Sequence, residues 1–202
     1  MIAIIDYGVG NLFSLVCSFQ NIGVETVVTD DPEVIRAADK LILPGVGAFG
    51  DARRKLAETG MDKLILEEAQ KGKPIMGICL GMQLLFEQGN EYGIHEGLGL
   101  LKGDVIPMEG VLPAGYKIPH IGWNGLLFKK ENPLFRYIHD GDYVYFVHSY
   151  FVENCDDSLL ATTEYGAELT AAVAKGNIYG CQFHPEKSGR AGLNILRGFA
   201  EL

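Results

Sequence analysis

The stretch KPIMGICLGMQLLF, Lys73 to Phe86, joins an apolar run to a segment of helical periodicity through Gly77-Ile78-Cys79-Leu80-Gly81, with one thiol at the joint. Pro74 to Ile78 shows no polar alternation, as expected of a strand covered on both faces. Gly-x-nucleophile-x-Gly is the spacing of a nucleophile elbow: the glycines let the chain turn sharply and pack closely, so that the central side chain projects above the sheet. A helix starting at Leu80 aims its N-terminal amides at the sulfur and favours the thiolate. The alternative is a buried cysteine at a tight turn, and this stretch alone does not separate the two.

Upstream of the elbow, IAIIDY (Ile2 to Tyr7), ETVVT (Glu25 to Thr29) and KLILP (Lys40 to Pro44) are further β-rich runs without clean alternation. Between them, Leu12, Leu15, Val16, Phe19 and Ile22 mark one helix face, with Asn11 as N-cap and Gly23 as stop. Asp31-Pro32 starts a short second helix, and Met61, Leu64, Ile65 and Ala69 give another that closes at Gly72. This rhythm predicts an α/β fold: a doubly wound, mostly parallel sheet flanked by helices, with ligands beyond the carboxyl ends of its strands. After about Gly97 the pattern changes. LLKGDVIPM, KIPHIGWNGLLF, DYVYFVHSYFV, LLATTEY, ELTAAVAK and IYGCQFH read as successive antiparallel or mixed strands before a final helix in GLNILRGFAEL. No linker separates the halves, so a single domain over residues 1–202 is expected.

Bulk properties narrow the function. With 26 acidic against 17 basic residues the formal charge is -9, and no Lys/Arg cluster tracks a phosphate backbone, which argues against nucleic acid. No apolar stretch approaches the roughly 20 residues of a membrane helix, and the N-terminus lacks a basic n-region, so a cytoplasmic protein without membrane attachment is expected. Cys17, Cys79, Cys155 and Cys181 are widely spaced and form no Cys-x-x-Cys pair, so neither a zinc site nor a disulfide framework is indicated. Cys17, Cys155 and Cys181 are expected to matter only for packing.

A nucleophilic thiol needs a base. QFHPEKSG supplies His184 at the end of a strand and Glu186 two residues on. A residue before proline is biased to extended geometry, in which side chains i and i+2 share a face, so the carboxylate reaches the imidazole and holds its tautomer. The order nucleophile, His, acid differs from that of α/β-hydrolases. An acyl-transfer site also needs oxyanion donors. The Leu80 N–H at the helix start is one, and the PGVGAFG loop (Pro44 to Gly50) offers Val46 and Gly47 for a second. Taken singly, His-Pro-Glu could be a surface turn and the glycine loop a simple tight turn.

PGVGAF, GICLGMQLLF and QFHPEKSG together resemble a class I (triad) glutamine amidotransferase, from residue 1 to 202. GVGNL (Gly8 to Leu12), PHIGWN (Pro119 to Asn124), YFVHSY (Tyr145 to Tyr150) and the Lys-Ser-Gly after His-Pro-Glu are similar to the amidotransferase subunits of imidazole glycerol phosphate synthases. The resemblance implies that Cys79 attacks glutamine, His184 protonates the departing ammonia and Glu186 orients His184, with no metal or organic cofactor. It also implies a glutamine pocket of Gly47, Gln83, Glu91, His148, Ser149 and Tyr150. The plainer readings of three of these are a solvated helix residue for Gln83, an exposed loop carboxylate for Glu91 and a satisfied core histidine for His148.

Ammonia in neutral water is mostly ammonium, so it has to be delivered under cover, yet the chain has no Gly-x-x-x-x-Gly-Lys loop and no second domain for an acceptor. The resemblance implies a (β/α)8-barrel cyclase partner, in a heterodimer, that binds a phosphorylated nucleotide and makes imidazole glycerol phosphate and aminoimidazole carboxamide ribotide. Asn11, Trp123, Tyr145 and Lys187 match positions facing that partner, while core packing is the alternative for Trp123. Activity is then expected to stay low until the cyclase holds its nucleotide, with a turn of the Val46 peptide toward the oxyanion as the device. Rival readings are an amidotransferase serving another acceptor such as chorismate or a pyridoxal precursor, a noncatalytic module on the same fold, and a cysteine peptidase or thiol hydrolase.

Overall fold

The computed structural model describes residues 1–202. The first half comprises β1 (Ile2–Ile5), α1 (Leu12–Asn21), β2 (Thr26–Thr29), α2 (Pro32–Ala37), β3 (Lys40–Leu43), α3 (Phe49–Thr59), α4 (Met61–Gln70), β4 (Ile75–Ile78) and the single turn α5 (Leu80–Gln83). The second half holds β5 (Gln88–Gly89), β6 (His95–Glu96), β7 (Asp104–Pro107), β8 (His120–Gly125), β9 (Leu127–Phe128), β10 (Tyr143–His148), β11 (Tyr150–Glu153), β12 (Leu159–Glu164), β13 (Glu168–Lys175), β14 (Ile178–Cys181) and α6 (Gly189–Ala200).

The uniformly apolar strands serve two cores at once. Ala3 and Ile5 of β1 enter one cluster, with Ile35, Leu56 and Ile65 from α2, α3 and α4. Ile2 and Ile4 enter the other, with Leu15 and Phe19 of α1 and Ile195, Leu196 and Phe199 of α6. Alternation along the strand sends successive side chains to opposite faces, and each fully buried aliphatic or Phe side chain contributes about 1.5–3 kcal/mol. Helices on both faces are what make a strand with no polar side stable.

The main sheet has eight strands in the order β2-β1-β3-β4-β14-β13-β12-β9. β2, β1, β3, β4 and β14 are parallel, and β13, β12 and β9 continue antiparallel. β14 comes from far along the chain, yet it pairs with β4 in the register Cys181 to Ile78. The strand before the elbow is therefore flanked by β3 and β14, and all three exit loops leave the same carboxyl edge side by side. Two smaller sheets, β10-β8 and β11-β7-β5-β6, rise beside that edge.

Several details differ from the sequence reading. PGVGAFG is not all loop: α3 begins inside it at Phe49, and only Phe49, Ala52 and Leu56 of this helix are buried, so its charged remainder hides the apolar stripe. Asn11 occupies the N-cap of α1 without a side-chain cap bond, whereas the Asp31 carboxylate accepts from the Glu33 N–H at 2.9 Å as expected. DYVYFVHSYFV is two strands, broken at Ser149, which pair with β8 and β7 respectively. The last helix begins at Gly189 rather than Gly192.

Candidate active site

At the elbow Cys79 has φ +54° and ψ -113°, a conformation that a residue bearing a Cβ rarely adopts and that costs about 1–3 kcal/mol. The surrounding backbone holds it there. A Cβ on Gly77 would lie 2.6 Å from Gly81 O, and one on Gly81 would lie 1.9 Å from Leu43 O, so only glycine lets β3, β4 and the turn approach this closely. The Cys79 N–H donates to Cys181 O at 2.8 Å, extending the β14 ladder to the nucleophile. The chain beyond Cys79 forms one helical turn rather than a long helix, so the local amides, not a macrodipole, face the sulfur.

His184 leaves β14 in extended geometry, and its N–H donates to Tyr145 O at 3.0 Å. Ser188 Oγ donates to His184 O at 2.7 Å and accepts from the Tyr145 N–H at 2.9 Å, so the histidine backbone is clamped to β10. Its Nδ1 bonds Glu186 Oε1 at 2.8 Å. The carboxylate reaches it from a 3-10 turn over Pro185–Lys187, not from continued extended chain, so the expected contact forms by a different backbone route. Nδ1 being taken, Nε2 is the nitrogen left for the thiol. Burial works against the charge on His184, but hydrogen bonding to Cys79 and to Glu186 outweighs it and lifts the imidazole from 6.5 to about 9.

The sign of that shift gives a stability prediction. A pKa raised in the folded state stabilises fully below pH 6.5, and the contribution is lost as pH climbs toward 9. Denaturant midpoints should therefore fall across this window, and the fall should be smaller and end at lower pH in Glu186→Gln, which loses one of the raising contacts. Identical pH dependence in the two proteins would show that the carboxylate does not hold the imidazolium.

The loop leaving β3 sits over the elbow. A Cβ on Gly45 would lie 2.6 Å from Gly81 N, Gly47 has φ +93°, and Tyr7 Oη donates to Pro44 O at 2.7 Å to anchor the loop. Burial, and Cys79 nearby, raise the Tyr7 hydroxyl well above its ordinary range, so it stays a donor.

Cys79, Leu80 and His184 open into a cavity of about 560 Å³, of the size that holds small-molecule ligands. Val46, Gly47, Gln83 and Glu91 line it, as do His148, Ser149, Tyr150 and Lys187. Glu186 lies behind His184 and is not part of this lining. Gln83 is buried rather than solvated and donates to Tyr150 O at 3.2 Å and Gln182 Oε1 at 2.9 Å. Glu91 is no idle loop carboxylate, since its Oε2 accepts the Phe49 N–H at 2.6 Å and ties the loop to the start of α3. His148 is buried and satisfied as well as lining the cavity, and burial drives its pKa down to about 3.

Of the four residues expected to face a partner, Lys187 belongs to the cavity lining and Asn11, Trp123 and Tyr145 do not. Trp123 is 50% exposed, which removes the core alternative, and it packs edge-on against Tyr145 at 5.9 Å. Asn11 is partly exposed and Lys187 exposed. Sequence reasoning missed Gln182, whose Nε2 lies 3.7 Å from Cys79 Sγ, and also Tyr92, Pro119 and Val147 of the cavity wall. A polar residue at the end of a buried strand was the available signal for Gln182. Tyr92, on an exposed loop with φ +54°, carries none.

Known proteins match this architecture along its length. The family model for class-I glutamine amidotransferases matches residues 3–201. Imidazole glycerol phosphate synthase subunit HisH of Caldanaerobacter subterraneus is 53% identical, with 100% of this chain and 98% of the relative covered. That of Bacillus subtilis is 46% identical, with 100% and 96% covered. A solved glutamine amidotransferase superposes with a TM-score of 0.77 over 100% of this chain and 98% of its own, at 18% identity, and so speaks for the fold alone. Identity at this level and coverage makes the relationship plain: the chain belongs to the class-I glutamine amidotransferases and, within them, to the family of HisH subunits of imidazole glycerol phosphate synthase.

Proposed function

We propose that this chain is the glutaminase subunit of imidazole glycerol phosphate synthase, and that Cys79, His184 and Glu186 carry the reaction. The observation that bears most weight is the His184 Nδ1 to Glu186 Oε1 bond beside a thiol on a strained elbow. Cys79 Sγ adds to the side-chain carboxamide carbon of glutamine, and the oxygen takes the negative charge. Leu80 N–H and an N–H of the Val46–Gly47 loop face that oxygen. His184, protonated at Nε2, gives its proton to the nitrogen as the C–N bond breaks, releasing ammonia and leaving a glutamyl thioester. The neutral imidazole then takes a proton from water, hydroxide adds to the thioester, and the C–S bond breaks to give glutamate and the thiol. Glu186 holds the tautomer throughout.

The glutamine contacts assigned to Gly47, Gln83, Glu91, His148, Ser149 and Tyr150 belong to this reading, as do a single domain over residues 1–202 and a cytoplasmic location. No helix is long and apolar enough to cross a membrane. Ammonia passes to a cyclase subunit, taken to be a (β/α)8 barrel, docked over Asn11, Trp123, Tyr145 and Lys187. Half-exposed Trp123, packed on Tyr145, supports this, because it leaves large aromatic surface in water on the β8–β10 ribbon, whose Val147 and His148 line the cavity. The test is glutamate release by the chain alone and with the cyclase carrying its nucleotide. A rise of at least about tenfold on adding the liganded partner is expected, the size of a coupling free energy above about 1.4 kcal/mol. Equal activity with and without it would sink the partner-gated part; activation by another synthase instead would move the chain to a different acceptor.

A further inference from the structure

His120 and His148 face each other across the β8–β10 ribbon, and neither makes or breaks a bond in the steps above, although His148 lines the glutamine pocket. His120 is wholly buried, and its Nδ1 lies 3.2 Å from His148 Nε2. Both outer ends of the pair are fixed by groups that can only accept. Asn124 Nδ2 donates to Glu164 O at 2.7 Å, which leaves Asn124 Oδ1 as the acceptor 3.2 Å from His120 Nε2. His148 Nδ1 lies 2.8 Å from Tyr150 O, a carbonyl. His120 Nε2 and His148 Nδ1 therefore both carry hydrogens, and two neutral imidazoles have only those two. The inner nitrogens would then meet lone pair to lone pair, which is a repulsive contact and two unsatisfied buried acceptors.

We propose that the pair holds a third proton, carried by His120 as an imidazolium whose Nδ1–H donates to His148 Nε2, and that His120 is thereby a positioning residue for the glutamine pocket. The surroundings suit a cation at His120 and not at His148. The rings of Tyr165 and Phe146 lie stacked on His120, with centroids at 3.9 and 4.9 Å, and aromatic faces attract positive charge. Burial pushes the His120 imidazole down overall, with Asn124 acting the other way, and the proton is held against that penalty by the facing acceptor and the stacked rings; burial drives His148 down to about 3, and His120 and His184 add to it, so His148 stays neutral. The ionisable groups around the pair are Tyr165 on one side and, on the pocket side, His184 and Tyr150, the last close to Glu91.

The extra proton fixes the tautomer of His148, and a chain of contacts leads from there to the nucleophile. Tyr150 O accepts from His148 Nδ1 and from Gln83 Nε2, the same Gln83 amide donates to Gln182 Oε1, and Gln182 Nε2 lies 3.7 Å from Cys79 Sγ. Were the pair to lose the proton, one outer bond would have to go: either His148 moves its hydrogen to Nε2, which releases Tyr150 O and loosens the wall of the cavity, or His120 moves its hydrogen to Nδ1, which releases Asn124 Oδ1.

Nitrogen-15 NMR of the histidine-labelled full chain at pH 7 tests the charge. Three protonated ring nitrogens across His120 and His148, with one low-field N–H···N proton, are expected; two protonated and two bare nitrogens overturn the proposal. Kinetics test the positioning. His120→Gln keeps a neutral donor toward His148 Nε2, and His120→Leu keeps none. The Leu variant should raise KM for glutamine about tenfold with a smaller change in kcat, the scale of one lost hydrogen bond, and Gln should restore KM to within about threefold of wild type. Equal KM in the two variants overturns the positioning role. The kinetic arm rests on the glutaminase reading and the NMR arm does not, so failure of one is separable from failure of the other, and the NMR needs no variant to fold.

Discussion

Replacing Cys79 by alanine should lower glutamate release at least about a thousandfold while leaving the protein folded, because the covalent step has no second nucleophile to fall back on. Cys79 is 8% exposed and lines the cavity, so truncation to alanine removes one sulfur atom and enlarges a space that already exists. Cys79→Gly should be equally inactive but more resistant to denaturant than Cys79→Ala, by about 1 kcal/mol, since glycine adopts φ +54° without the Cβ penalty that alanine keeps. The pair of variants separates chemistry from strain. If the alanine protein retains more than a few per cent of activity, the thiol is a turn residue. If glycine is no more stable than alanine, the elbow is not strained.

The strain also shows why the sequence disclosed so much of this site. Gly77 and Gly81 were readable as elbow glycines because they flank the nucleophile at a fixed spacing; the constraint at Gly77 is local, since a Cβ there would meet Gly81 and Met82, whereas the one at Gly81 comes from Leu43 at the end of β3. His184 and Glu186 were readable for the same reason, being two residues apart, although the 3-10 turn that joins them was not. β1 to β4 were legible because parallel strands covered on both faces lack polar residues, and their order follows from βαβ connections. The features that stayed hidden depend on distant partners. The pairing of β14 with β4 brings the base beside the thiol across a hundred residues, and nothing in IYGCQFH marks it as parallel where its neighbours are antiparallel. The break at Ser149 is likewise a tertiary effect, since Tyr143–His148 pairs with β8 and Tyr150–Glu153 with β7. α3 was hidden for a third reason: Asp51, Arg54 and Glu58 pair along its exposed face, leaving only a narrow apolar stripe.

The second large effect is expected at Gly81. A methyl group there would stand 1.9 Å from Leu43 O and 3.0 Å from Pro44 C, and these are backbone atoms at the end of β3, not side-chain ends that could swing away. Relief requires β3 and its exit loop to separate from the turn, in a region where Leu41, Leu43 and Leu80 are packed in one core. Gly81→Ala should therefore destabilise by about 3 kcal/mol or more, the range of severe overpacking, and should accumulate as insoluble protein. Gly72→Ala is the contrast: it has φ +84° but nothing within 4 Å, so its cost is conformational only, about 1 kcal/mol. The two substitutions exchange the same hydrogen atom for a methyl group and differ only in what the methyl meets. Whatever Gly81→Ala protein does fold should also be impaired in turnover, because the Val46 and Gly47 peptides hang from the strand that is displaced. Denaturant midpoints and glutamate release measured on the soluble fractions decide it. Wild-type stability in Gly81→Ala would mean that the close approach of β3 to the elbow is not what holds Cys79 in its strained conformation, and that the Tyr7 bond to Pro44 O anchors the oxyanion loop without it.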